Sequence, residues 1–261
     1  RETVANSIRS VLAQTFGEYE IIVVDDGSTD GTLESLNSVF NTEPRLRLLQ
    51  QPNRERGAAR NNGIRNATGE YLVFMDSDDL IEPDHLKTIH DHILREKHPD
   101  LISCKFDILA EDGTSGNAPI SRLTKGYHDY RILLEGNILG MYLAVRRSLP
   151  ELKMFPEDRS LAVVEDWIFN FSNLRHRKIF LIDKVTYHVC DHPGRSMSAS
   201  AETLSGKVKR AASLLIETMN LPANEIAVIR SSTAYFAAIH FYIDGKGREE
   251  LRQLLSSVRT D

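Results

Sequence analysis

Glu20-Ile-Ile-Val-Val-Asp-Asp-Gly-Ser-Thr-Asp-Gly-Thr32 is a β-branched apolar run that ends in two acids and a glycine-punctuated turn. A short apolar run bounded by turn residues predicts a buried strand. Ser28, Thr29 or Asp30 then caps a helix through Leu33, Leu36 and Phe40. Upstream, Val4, Ile8, Val11 and Leu12 recur at helical spacing between Thr3 and Ala13. Downstream the alternation continues with a strand from Leu46 to Leu49, a helix from Gly57 to Asn66 and a strand from Tyr71 to Met75. A further helix opens at Pro83 and carries Leu86, Ile89, Ile93 and Leu94. Strands alternating with helices predict an α/β fold with a mostly parallel, doubly wound sheet.

Beyond Asp100 the pattern changes. Leu101 to Leu109 reads as a strand, Asn117 to Tyr127 is irregular, and a helix starts at Glu165 or Asp166 with Trp167, Ile168, Phe171 and Leu174 on one face. Strands follow at Ile179 to Ile182 and Val185 to Val189, so the sheet becomes mixed. Two or three helices fill the remainder. A boundary near Ala201 divides residues 1–200, carrying the strands, from a helical segment at 201–261.

The 261 residues are 41% hydrophobic and 26% charged, which suits one sizeable domain with an appendage. A net charge of −5 with scattered basic residues lacks the positive field that nucleic-acid binding needs. No apolar run approaches the roughly 20 residues that span a bilayer, so a soluble, cytoplasmic protein is expected. Cys104 and Cys190 stand far apart and suit neither a disulfide framework nor a thiolate zinc site.

In open α/β sheets ligands sit beyond the carboxyl ends of strands, and two acidic clusters fall there, Asp25-Asp26 and Asp76-Ser-Asp-Asp79. In an extended chain, positions i and i+2 share a side, so Asp76 and Asp78 can present two carboxylates to one point while Ser77 turns away. Such a pair suits a hard divalent cation, Mn2+ or Mg2+, which keeps open positions for phosphate oxygens. The plain alternative is a solvated turn capping the next helix. In Asn53-Arg-Glu-Arg-Gly-Ala-Ala-Arg60-Asn-Asn-Gly63, small residues at a helix start let a ligand approach, and Arg60 one turn in can meet phosphate or a base edge.

Taken together, these segments resemble the family 2 inverting glycosyltransferases, which have the GT-A nucleotide-sugar-binding fold. The matching stretches are Ser10-Val-Leu-Ala-Gln-Thr-Phe16, Glu20 through Thr32, Asn53 through Gly63, Ala67-Thr-Gly-Glu-Tyr-Leu-Val-Phe-Met-Asp-Ser-Asp-Asp79 and Glu165-Asp166, in the family's order. The resemblance implies that Asp25 or Asp26 recognises the base, that Arg60 lies beside base and diphosphate, and that Asp76 and Asp78 hold ribose and metal, with Ser77 in the nucleotide-sugar site. It makes Asp166 the general base, with Glu165 beside it in the catalytic pair. Inversion requires an acceptor hydroxyl to attack the anomeric carbon opposite the departing nucleotide, and a carboxylate within hydrogen-bond reach takes its proton. Without the family, Glu165 and Asp166 read as first-turn acids favoured by the helix dipole. Trp167 suits either a sugar face or the core.

The string Tyr187-His-Val-Cys-Asp-His-Pro-Gly-Arg-Ser-Met-Ser198 looks like the family's loop that closes over the diphosphate. There His192 or His188 would complete the metal shell and Arg195 would neutralise phosphate. The implied donor is a nucleotide-diphosphate sugar, most often UDP-linked, and the implied acceptor is a bacterial surface glycan or its lipid-linked precursor, in cell-envelope polysaccharide synthesis. For the tail, two further partners are open: a second copy, forming a homodimer, and a membrane surface touched peripherally at its inner face.

The chain departs from the pattern twice. The family opens with an apolar strand, whereas Arg1-Glu-Thr3 already lies on the following helix, so such a strand is expected ahead of it. No Q-x-x-R-W follows Glu165-Asp166, which points to single-sugar addition rather than processive synthesis. A sugar-phosphate nucleotidylyltransferase would share the sheet and metal aspartates, but Asp25 to Thr32 and Glu165-Asp166 favour transfer of the sugar. A catalytically inactive glycan-binding relative is disfavoured by retention of Asp76, Asp78 and Asp166.

Overall fold

The computed structural model describes residues 2–192, 200–248, 251, 254 and 255. In chain order come α1 (Glu2–Leu12), β1 (Ile21–Asp25), α2 (Thr32–Phe40), β2 (Leu46–Gln50), α3 (Glu55–Asn66), β3 (Tyr71–Val73) and β4 (Leu80–Ile81). Next are α4 (His85–Arg95), β5 (Leu101–Leu109), β6 (Ser115–Asn117), β7 (Gly126–His128), β8 (Leu143–Arg146), α5 (Glu165–Leu174) and β9 (Ile179–Cys190). The helices α6 (Ala201–Thr218) and α7 (Ala223–Ile243) follow. A short 3-10 turn at Pro119–Arg122 lies in the stretch that reads as irregular, and two more follow at Tyr130–Leu133 and Arg159–Leu161.

The α/β class predicted by the alternation is observed, and the main sheet is mixed. It runs β3-β8-β5-β9-β4, with β6 on β5 and β7 on β9, while β1 and β2 form a separate parallel pair. Among the described residues β5 and β9 are also parallel, and every other pairing is antiparallel, a larger antiparallel share than the early βα alternation implies. Short strands absent from the sequence reading make all of these pairings: β8 inserts antiparallel between β3 and β5, while β4 and β7 add to β9 and β6 to β5. The four residues of β8, Leu143-Ala-Val-Arg146, are too short to declare a period, and burial on both sides removes any alternation. The two strands expected between Ile179 and Val189 are one strand, β9. Opposite Cys104 and Lys105 its register shifts, leaving Asp183, Lys184 and Val185 exposed where the apolar run breaks.

One core cluster fills the space between the main sheet and α5, and it includes Phe74, Leu101, Leu143, Phe169, Phe171, Tyr187, Ala211, Leu215 and Ile229. The last three belong to α6 and α7, so the helical tail packs into the same core as the sheet. A second, small cluster joins Ile8 of α1 to Leu36 and Phe40 of α2, with Val23, Leu46 and Leu48 against it. Between the two bodies runs a cleft of about 1140 Å³. Consecutive residues Ile21 to Asp25 line one wall and Tyr71 to Phe74 another, so the unpaired edges of β1 and β3 open into it. That explains why the Ile-Ile-Val-Val run of β1 is only partly buried. The start of α1 reaches the acidic end of this cleft, where Ser7 Oγ donates to the carbonyl of Ser77 at 3.0 Å.

The expectation that no stretch approaches a membrane-spanning length needs one correction. By length and composition α7 is long and apolar enough to cross a bilayer, with a mean hydropathy of 1.2 over its best window. The sequence hides this because Glu225 and Arg230 interrupt it, and in the fold Ile229, Thr233, Ala237 and Ala238 are buried against the protein.

Candidate active site

The acids collect at one end of the cleft, where β1 ends in Asp25, the chain leaves β3 toward Asp76, and α5 begins at Glu165. Asp25 and Asp26 separate in role. Asp26 Oδ1 accepts from Gln51 Nε2 at 2.7 Å and from the Arg54 amide at 2.9 Å, which fastens the turn after β1 to the segment before α3. Asp25 is 6% exposed; its Oδ1 accepts from the Ser28 amide at 3.3 Å, while its buried Oδ2 has no partner among the described residues. A buried carboxylate oxygen without a donor is costly.

Arg60 projects from α3 between two acid motifs. Its Nη2 donates to Asp76 Oδ1 at 2.7 Å and its Nη1 to Glu165 Oε1 at 2.5 Å, with the guanidinium 5.4 Å from the centre of the Phe155 ring. Burial opposes its charge, but Asp76, Glu165 and Asp166 outweigh that and raise its pKa, so it stays protonated. The sequence reading places Arg60 beside base and diphosphate; in the fold its donors brace carboxylates.

Glu165 is 2% exposed and both its oxygens are occupied, Oε1 by Arg60 and Oε2 by the Val163 amide at 2.6 Å. Val163 takes φ 90, a strained value for a β-branched residue, and so turns its N–H toward that carboxylate. Asp166 faces the cleft, and its Oδ1 accepts from the Trp167 amide at 2.8 Å. Burial first, and then the charge of Glu165, push the Asp166 carboxyl up to about 7, against the pull of Arg60. A carboxylate poised near neutrality can accept a proton as a bond forms. Trp167 turns into the core, where its Nε1 donates to the carbonyl of Leu133 at 2.9 Å, so it takes no place at a sugar face.

Asp76, Asp78 and Asp79 bring ligand atoms within 4.8 Å of one another. Clustered hard oxygen donors of like charge fit a divalent cation such as Mn2+ or Mg2+. His192 Nε2 lies 3.0 Å from Asp78 Oδ2. His188 does not reach the cluster: its Nδ1 meets Asp107 at 2.6 Å and its Nε2 meets Glu82 at 2.9 Å. Ser77 lines the cleft. Arg195 lies outside the described residues.

Two participants escaped the sequence reading. Asp79 stands there as the last acid of the Asp76–Asp79 cluster with no role of its own, and Tyr187 lies in the strand and loop after Val185 with none either, yet they meet in the fold. Tyr187 Oη donates to Asp79 Oδ2 at 2.9 Å and accepts from the Asp76 amide at 3.2 Å. Burial, helped by the charge of Asp76, pushes the Asp79 carboxyl up to about 7. The third acid in Asp-Ser-Asp-Asp was the available signal for Asp79; nothing local marks Tyr187, 108 positions along the chain.

Residues 1–145 match the family model described as glycosyl transferase family 2. The EpsH protein of Bacillus subtilis, a glycosyltransferase by name, is 32% identical over 200 residues, covering 71% of this chain and 56% of that protein. An uncharacterized glycosyltransferase of Haemophilus influenzae is 32% identical over 178 residues, covering 66% of each. The chain thus spans between 56% and 66% of the length of these relatives. Among solved structures, S. aureus TarS 1-349 superposes with a TM-score of 0.71 at 23% identity over 98% of this chain and 75% of that one. The same protein in complex with UDP-GlcNAc gives a TM-score of 0.69 at 26% identity over 93% and 70%. The GT-A architecture expected from the motifs is therefore the observed fold.

Proposed function

This chain belongs to glycosyl transferase family 2, and from that premise we propose that it transfers one sugar, with inversion, from a UDP-sugar to a hydroxyl of a surface glycan or lipid-linked precursor. The observation that carries the reading is the meeting of three motifs in one cleft: an unpartnered Asp25 oxygen, the Asp76–Asp78 pair, and an Asp166 carboxyl held near neutral pKa. In this reading Asp25 Oδ2 accepts the imide N–H of uracil, a donor that cytosine lacks. Asp76 and Asp78, with His192, hold Mn2+ or Mg2+, which when bound offsets charge on the departing diphosphate. Asp166 takes the proton of the acceptor hydroxyl, and Glu165 with Arg60 keeps it in place. The complexes of TarS with UDP and UDP-GlcNAc support a uridine donor. A cytoplasmic location at the inner face of the membrane fits an acceptor carried on lipid.

The test is a screen of nucleotide sugars for slow hydrolysis and transfer, followed by Asp166→Asn. Sugar release should fall by roughly 10²-fold or more while UDP affinity stays within about twofold of wild type. Persistence of the rate would move the base elsewhere, and failure of every nucleotide sugar would end the reading.

A further inference from the structure

The cluster of three aspartates is not three equivalent ligands. Asp79 is 2% exposed, and each of its oxygens already accepts a hydrogen bond, Oδ2 from Tyr187 Oη and Oδ1 from the Cys190 amide at 3.0 Å. The Tyr187 hydroxyl is in turn a one-atom bridge, giving its proton to Asp79 and accepting the Asp76 N–H. A turn bond from the Asp79 amide to the Asp76 carbonyl at 3.3 Å closes the same loop. The phenol has little freedom to move: the residue is 1% exposed, with Tyr142 at 4.2 Å and His85 at 6.0 Å between ring centres. Two positions beyond Cys190 the chain reaches His192, which meets Asp78. β9 and the two residues that follow it thus grip the first, third and fourth residues of the acidic loop.

We infer that Tyr187, acting through Asp79, is a positioning residue that holds the carboxylates of Asp76 and Asp78 convergent on the cleft, and that Asp79 serves as an anchor for the loop rather than as a metal ligand. The inference rests on the metal-dependent donor site proposed above. Losing the hydroxyl strands a buried carboxylate oxygen, which is costly to leave unpaired, and takes an acceptor from the Asp76 amide, so the loop relaxes and the convergence of its neighbours is lost.

The experiment titrates Mn2+ into the full chain at a fixed concentration of UDP, and separately titrates UDP in chelator, for wild type, Tyr187→Phe, Asp79→Asn and the double variant. Tyr187→Phe should raise the Mn2+ concentration for half-saturation about tenfold or more while UDP binding in chelator is unchanged. Because both side chains act through one bond, the double variant should lose much less than the product of the two single losses. A lowered Tm with unchanged Mn2+ half-saturation would mean that Tyr187 is only a packing residue and would overturn the inference. Strictly multiplicative losses would overturn it as well, by making Asp79 an independent ligand. Asp79→Asn approaches the same bond from the other side, so failure of one variant to fold leaves the other to decide. If wild type shows no metal-dependent gain in UDP affinity, it is the proposed donor site itself that fails.

Discussion

At the residue scale, the Asp166 carboxyl stands near half-protonation at neutral pH, because burial and Glu165 disfavour its charge more than Arg60 favours it. A base must be ionised to accept a proton, so transfer should rise with pH through about 7 and level off above it. Glu165→Gln removes the neighbouring negative charge, which lowers the Asp166 pKa and moves this acid limb to lower pH. A pH–rate profile of the two proteins checks the direction; a limb that stays put or moves up would assign it to another group. The same shift affects folding. The folded state holds this proton more tightly than the unfolded chain, so Asp166 detracts from stability progressively as pH rises from the ordinary carboxylate range through about 7. The poise proposed for Asp166 as a base is thus set against the stability of the fold.

At the element scale, two glycines of the same type and the same helical setting behave oppositely. Gly57 sits in the first turn of α3, where a Cβ would lie 2.2 Å from the Pro156 carbonyl oxygen. That contact is part of a seam in which Asn61 Nδ2 donates to the Phe155 carbonyl and Asn61 Oδ1 accepts the Phe155 amide, and Phe155 stacks on Phe169 of α5. Gly57→Ala should therefore destabilise by about 1–3 kcal/mol through overpacking, despite the better helix propensity of alanine. Gly206, exposed in α6 with nothing within 4 Å of its added Cβ, should gain about 0.5–1 kcal/mol from the same change. Thermal unfolding of the two variants should show Tm shifts of opposite sign.

At the scale of the whole molecule, the helical tail is bound to the rest by shared interior. Ala211, Ala212 and Leu215 of α6 and Ile229 of α7 lie in the main core, and the buried Glu225 carboxylate accepts from Tyr130 Oη at 2.9 and 2.8 Å. Arg175, one residue past α5, donates to the carbonyls of Met219 and Asn220 between the tail helices. Removal of residues 201–261 exposes that core and leaves α5 without its outer cover, so the shortened chain should lose cooperative thermal unfolding. A 1–200 chain that kept the wild-type Tm would show the tail to be an independent appendage.

The amino-acid sequence by itself determined the order of elements through β3 and the helix α4, though not the two-residue β4 between them, together with the α/β class and the acids at strand ends, because each rests on a local feature: a run, a turn, or a spacing of two. The Asp25–Asp26 pair, Asp76 and Asp78 were legible in that way, while Asp166 stood out only through the resemblance to family 2 glycosyltransferases. Tertiary structure alone decided that Asp25 rather than Asp26 keeps an open oxygen, that Arg60 holds both Asp76 and, 105 positions along the chain, Glu165, and that Tyr187 reaches the acidic loop. It also decided the place of β8 and the antiparallel share of the sheet. Pairing partners and hydrogen-bond assignments are properties of chain segments brought together in space, and no local period or propensity encodes which distant donor will satisfy a given buried carboxylate.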